Sequence, residues 1–559
     1  MSDSVTHPSS FNDANAQVAQ FVALVNSHDG EHATRALLTN VSDMPPEDLI
    51  DIAQGLLNRG YTGPAVLLLF DANRRFPDSL EIVYWLAFAL NACGELAPAE
   101  SWLRRLAAVI PGNAPVAMLL VQVLQEQGRY AAAVEVLQAF AATPACRGEI
   151  ALDTARALDD CGATAAAYSL CTHALSQGDP EPELEVEAGV CAMTLGHFDV
   201  AREHLLTAAR SPHTAIAARA LHALANTRRY VDRTDGDFAL FEAALARSAT
   251  SDDAALTSLQ FALAKASDDI GDVAAAAELL RRANAAASAH APWSGDHWSS
   301  LVARRLASPA TGNGHTVNLD ETEGFSPVFI VGMLRSGTTL LSSLLARRSD
   351  VRARGELAVI ENLFNRLNGT GRLDDPIALA RARDAYVAHA RRDDHAVRWF
   401  VDKQPLNFLY VDFIRRLFPN ARFVHCRRDH CDTALSVWMQ YFSGTAAGFA
   451  YQWRDIAAVL DGADTLMRHW GKHFPDAILS VDYEALVRDP DATMAAIERH
   501  LGMPASSPAQ EGAAPESGIA TASMWQARQP VYQDSVGRSR LYRPLIPELD
   551  AIGHAHPST

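Results

Sequence analysis

Between Phe329 and Ala346 the chain reads FIVGMLRSGTTLLSSLLA. Gly332 and Gly337 have the spacing of a loop that wraps a phosphate in backbone N–H groups. A nucleotide-hydrolysing loop would place a lysine directly after the second glycine, and here Thr338 stands there. That departure counts against a nucleotide-hydrolysing enzyme. Further along come single residues of types that bind anions, take protons or stabilise a leaving oxygen. They are Glu356 in ARGELAVIENLF, Lys403 in VDKQP, Arg428 and Ser436 eight residues apart, and Tyr483 in VDYEALVRDP. Lys403 stands out on composition alone. Of 48 basic residues only three are lysine, at 265, 403 and 472, so a lysine here points to a compact charge that a planar guanidinium would not replace.

The elements that must position these residues follow from periodicity. Pro327-Val328-Phe329-Ile330-Val331 reads as a buried strand, and Leu340, Leu341, Leu344 and Leu345 recur at helical spacing. The stretch from Arg398 to Phe442 reads strand, short loop, helix, strand, helix, and a further strand leads into Tyr483. Alternating strands and helices predict a mainly parallel sheet covered on both faces, with ligands at the carboxyl ends of its strands. The loop 332–339, Lys403, Arg428 and Tyr483 all fall where strands should finish.

Composition bounds the rest. The 559 residues suffice for two to four domains, and 48% hydrophobic with 20% charged is ordinary globular composition. A net charge of −18 argues against nucleic acid as a partner, yet basic residues outnumber acidic ones from Pro327 to Thr445. No apolar run is long enough to span a membrane. The start, MSDSVTHPSSFNDANAQ, lacks the pattern of a signal peptide, so a cytoplasmic location is expected. The seven cysteines show no metal spacing, so no metal is expected.

The first half is periodic. Glycines at 60, 94, 128, 162 and 196 and alanines at 65, 99, 133, 167 and 201 share a 34-residue step. This resembles the tetratricopeptide repeat: two helices, a turn at the glycine, and a small alanine where the helices touch. Six to eight helical pairs are expected in an array over 48–290, after a partly helical segment 1–47. A linker is expected at 291–324 and the sheet domain at 325–559. Such arrays offer a groove for a peptide or protein, or else serve as a scaffold or dimer contact, so a homodimer is open.

At these residues the C-terminal half resembles a sulfotransferase, most closely the tyrosylprotein branch, and bacterial proteins that fuse tetratricopeptide repeats to such a domain are a known class. The fold implied is an α-solenoid followed by a P-loop-type three-layer α/β/α domain. The co-substrate implied is 3′-phosphoadenylyl sulfate (PAPS), without metal. By motif, Arg335, Ser336, Gly337, Thr338 and Thr339 would surround its 5′-phosphosulfate. Arg428 and Ser436 would hold its 3′-phosphate. Tyr483, and Arg528 and Arg538 in the tail, would add contacts to the nucleotide. Glu356 would be the base, Lys403 the cation at the bridging oxygen, and Ser523 a further donor contact in the catalytic set. The branch has two adjacent carboxylates after the glycine, whereas here Gly355-Glu356 is followed by Leu357, so Glu361 is the other candidate base. Transfer of a sulfuryl group to a hydroxyl is the activity implied. The acceptor would be a protein tyrosine chosen by the repeats, or a saccharide, lipid or small phenol. The alternative is a repeat scaffold with a decayed nucleotide-binding domain.

Overall fold

The computed structural model describes residues 8–27, 30–179, 181–248, 253–308, 324–392, 394, 396–442, 447–504 and 533–555. Ser523 and Arg528 lie outside the described residues. The chain divides after Thr154 into two compact units, Met1–Thr154 and Ala155–Thr559.

The 34-residue step has a direct physical cause. Gly60, Gly94, Gly128, Gly162, Gly196 and Gly271 all sit in the left-handed region, with φ between 73° and 88°. There glycine ends one helix and turns the chain into the next without a Cβ clash. Ala65, Ala99, Ala133, Ala167 and Ala201 are each 0% exposed, because each lies where paired helices meet. Ser79 and Asn113, also 34 apart, cap the helices that follow by accepting from the N–H of Ile82 and Val116. Among the described residues fourteen helices run in pairs from Pro46 to His290, after helices Pro8–Ser27 and Gly30–Asn40. No helix of the described residues is long and apolar enough to cross a membrane.

The second unit contains a sheet of β1 (Ser326–Gly332), β2 (Val351–Ala353), β3 (Trp399–Asp402), β4 (Arg422–Arg427) and β5 (Ile478–Asp482). The order is β2-β3-β1-β4-β5, and every pairing is parallel. Its faces differ in chemistry, as the two-residue side-chain period allows. Phe329, Val331, Phe400 and Phe423 point into one core, where Phe329 lies 5.4 Å from Phe423 and Phe325 5.2 Å from Phe400. Val328, Ile330, Val401, Val424 and Val481 face the other, covered by the helices Thr338–Leu345 and Pro490–Leu501.

The aromatic core does not stop at the sheet domain. Phe261, Leu280, Ala283 and Trp298, which precede β1, belong to it. The span 291–324, expected as a linker, includes the helix Gly295–Ala307. That helix is held on the helix Trp453–His473: the Trp298 indole donates to the Ala458 carbonyl at 2.9 Å. A Cβ on Gly462 would come within 2.7 Å of the indole, so glycine there is a packing requirement.

Candidate active site

Because all five strands run the same way, their carboxyl ends share one edge. β1 runs into Gly332, β3 into Lys403, β4 into Arg428 and β5 into Tyr483, while Glu356 lies just beyond β2. The chain leaves β1 toward β2 and leaves β3 across β1 toward β4, so the direction of winding reverses beside β1. That reversal opens a crevice at the strand ends, the usual ligand position in such sheets.

The loop after β1 is built for a close ligand. Arg335 has φ 69° and Gly337 φ 99°. A Cβ on Gly337 would lie 2.6 Å from Cδ2 of Tyr483, and one on Gly332 would strike the Cys426 carbonyl. Both glycines are therefore demanded by neighbours as well as by the turn. The helix Thr338–Leu345 starts directly after Gly337, so its unpaired N–H groups open on the loop. Ser336 is 2% exposed, and its Oγ has no hydrogen-bond partner among the described residues. A buried hydroxyl in that condition fits an anion in the loop.

The residues after β4 lock onto the same loop. Arg335 Nε donates to Ser436 Oγ at 3.1 Å. Arg428 Nη1 donates to the Arg335 carbonyl at 3.1 Å, and its Nη2 to the Ser535 carbonyl at 2.7 Å. The Arg428 guanidinium lies 4.9 Å from the Tyr483 ring centroid, and its buried Nε lacks a partner among the described residues. Asp429 caps the helix His430–Trp438 by accepting from the Asp432 N–H at 2.9 Å. Asp432 in turn accepts from the N–H groups of Gly537, at 2.6 Å, and Ser539, at 2.8 Å. Neither aspartate pairs with Arg428 in these contacts. Thr338 is buried and Thr339 half-buried at the helix start.

Across β1, Lys403 donates from Nζ to Glu356 Oε1, and its backbone N–H donates to the Gly355 carbonyl at 2.9 Å. The side chain of Lys403 is only 3% exposed, whereas that of Glu356 is 44% exposed. Arg352 and Arg354, the other cations near Glu356 in sequence, are engaged elsewhere: Arg352 on Asp394, and Arg354 on the carbonyls of Ala390 and Arg391. Glu361 is exposed and accepts from the buried Tyr410 hydroxyl. The loop, Glu356, Lys403, Arg428, Ser436 and Tyr483 thus come together at one edge. Arg538 does not join them in the contacts it makes, since its guanidinium is on Asp268 of the helix Asp253–Asp269. His425 is buried and bonded to Ser480 Oγ at 3.2 Å, and burial pushes its pKa down to about 4. His430 Nε2 lies 3.4 Å from Asp464 Oδ2.

One residue was missed in the sequence. Asp402, directly before Lys403, is buried, and its Oδ2 accepts from the Tyr386 hydroxyl at 3.1 Å and Asn407 Nδ2 at 3.3 Å. Burial pushes its carboxyl up to about 7 from an ordinary 3.8. The available signal was an aspartate closing an otherwise apolar strand. Its sign is definite. Between the unfolded and folded values the folded chain binds the extra proton, so the stability this group contributes is greatest at low pH and falls as pH rises toward 7, by at most about 1.4 kcal/mol per pH unit. Asp402→Asn keeps the shape and does not titrate. Thermal melts from pH 4 to 8 should show the variant gaining on the wild type as pH rises, and parallel curves would refute this.

The comparisons with known proteins concern the domain that carries this edge. Residues 327–507 match the model of the Sulfotransferase family. The matched residues are thus similar to that family, and they follow the array of helical pairs. An uncharacterised protein of Aquifex aeolicus is 31% identical over 243 residues, which cover 40% of this chain and 32% of that protein. Protein-tyrosine sulfotransferase 1 of Danio rerio is 27% identical over 192 residues, covering 32% of this chain and 53% of that one. The protein-tyrosine sulfotransferase of Drosophila melanogaster is 29% identical over 195 residues, covering 32% and 38%. The chain thus spans about a third to a half of the length of these relatives. Among solved structures, the sulfotransferase domain of the Synechococcus PCC 7002 olefin synthase aligns with TM-score 0.31 and 19% identity, over 42% of this chain and 96% of that one.

Proposed function

We propose that the chain transfers a sulfuryl group from PAPS to an acceptor hydroxyl. The observation that carries this reading is the placing of opposite tasks on the two sides of β1: the Lys403–Glu356 pair follows β3 and β2 on one side, and Arg428 with Ser436 follows β4 on the other. The donor's 5′-phosphosulfate suits the N–H groups and hydroxyls of the loop 332–339, and its 3′-phosphate suits Arg428 and Ser436. The donor supplies an activated sulfuryl group. The S–O bond to the bridging phosphate oxygen breaks while the acceptor oxygen bonds to sulfur. Glu356, the exposed partner, takes the acceptor proton. Lys403, the buried one, sits where negative charge grows on the leaving oxygen, and a fixed cation there favours the transition state. The products are a sulfate ester and 3′-phosphoadenosine 5′-phosphate.

A protein tyrosine is the acceptor we favour, supported by the named activities of the Danio and Drosophila relatives. The repeats would supply its groove. We place Ser523 and Arg528 at the donor as the motif resemblance implies, and the chain in the cytoplasm.

The test is donor binding by calorimetry with 3′-phosphoadenosine 5′-phosphate. The wild type should bind it and ignore ATP with Mg²⁺. Arg428→Ala removes a charge-assisted contact of about 1.5–3 kcal/mol, so affinity should fall about 10- to 150-fold. The apparent KM for PAPS should rise by a similar factor while turnover changes little. Unchanged binding by this variant would show that the 3′-phosphate is held elsewhere.

A further inference from the structure

The segment that completes the Arg428 corner comes from far along the chain and is held from outside the sheet domain. Ser535 offers its carbonyl to Arg428, while Gly537 and Ser539 give their N–H groups to Asp432 on the helix that carries Ser436. Two residues of the same segment reach back to one repeat-region carboxylate. Arg538 Nη2 donates to Asp268 Oδ2, and the Tyr542 hydroxyl donates to Asp268 Oδ1 at 2.5 Å. Asp268 is 270 residues earlier than Arg538 and its side chain is only 10% exposed. A second tie runs in the same direction. Asn284, buried on the helix Val273–His290, donates from Nδ2 to the Trp438 carbonyl at 3.0 Å, at the far end of the Ser436 helix.

We propose that Asp268 is a positioning residue for the donor nucleotide: it fixes the segment 535–542, and through it Arg428 and the Ser436 helix. This rests on the donor reading above. It gives the last helical pair of the repeats a share in donor affinity. A disturbance of that pair, by a variant or by a partner in the repeats, is then felt at the 3′-phosphate corner.

The experiment uses the full-length chain and 3′-phosphoadenosine 5′-phosphate, with binding by calorimetry and turnover by PAPS consumption. Asp268→Asn keeps the size of the side chain and removes its charge. It should weaken binding and raise the apparent KM for PAPS about 10-fold, with turnover within about 2-fold of wild type. Arg538→Gln should act in the same direction, and the double variant should be no worse than Asp268→Asn alone, because Arg538 has then already lost its carboxylate. Asp268→Glu should recover part of the affinity. Tyr542→Phe, which removes a single hydroxyl, gives the same reading if Asp268→Asn does not fold. Wild-type binding in the Asp268, Arg538 and Tyr542 variants, beside weakened binding in Arg428→Ala, would overturn the proposal and leave the donor reading intact. A wild-type chain that does not bind the nucleotide would remove the donor reading, and this inference with it.

Discussion

Glu356→Gln should lower turnover by about 10²–10⁴-fold while leaving donor binding in place. That span corresponds to about 2.7–5.4 kcal/mol in the barrier. The amide keeps the size of the side chain and an oxygen for Lys403 Nζ, so the change is one of basicity more than of shape. Glu356 is 44% exposed, which leaves it open to an incoming hydroxyl, whereas the ammonium it accepts from is buried. A phenol acceptor with a much lower pKa is already ionised and needs no base, so it should restore a large part of the lost rate. Steady-state rates with a graded series of phenols measure this. A Gln variant that turns over normally would move the base to Glu361, and no rescue by acidic phenols would assign Glu356 a structural role with Lys403.

Lys403→Ala should cut turnover by about 10²-fold or more, the scale on which a fixed electrostatic stabiliser acts. Its effect should resist the rescue that works for Glu356→Gln, because an acidic acceptor does nothing for the leaving oxygen. The ion pair adds a complication with a predictable sign. Removing Lys403 leaves Glu356 without its ammonium, but that carboxylate is accessible to water, so the stability cost should be small beside the kinetic one. Melting temperature and turnover measured on the same preparation separate the two. Equal rescue of both variants by acidic acceptors would show that one of these residues acts only by holding the other.

The site was legible where chemistry is local in sequence. A strand ending in a glycine loop, a lone lysine after a strand, and an arginine eight residues before a serine each announce themselves within a few positions, and the parallel sheet brings all of them to one edge. The repeats were legible for the same reason, since each 34-residue step obeys its own turn and contact rules. What could not be read was pairing over distance. That Glu356 meets Lys403 and not Arg352 or Arg354 depends on β2 lying beside β3. Arg538 was expected at the nucleotide because it stands in an arginine-bearing tail. Its carboxylate partner, Asp268, is an unremarked acid at the end of a repeat helix. Likewise, the composition near 291–324 suggested a divide, but Phe261, Leu280 and Trp298 share the aromatic core of the sheet domain, and apolar side chains do not say which surface they will meet.

That shared core has a consequence for how the chain is made. The helical pairs form from neighbours in sequence and can fold as they emerge, whereas β1 must wait for β3 and β4. Trp298 waits longer than β1 does, because its partner Ala458 is 160 residues downstream. At about 5–20 residues per second, synthesis of those residues takes about 8–30 s. For that interval the last repeat helices present an uncovered apolar face to the surroundings. Nascent chains stalled just past Ala307 should therefore hold chaperone more strongly than chains stalled past Ala225 or chains released at full length. Equal retention at all three lengths would mean that another surface shields these helices during synthesis.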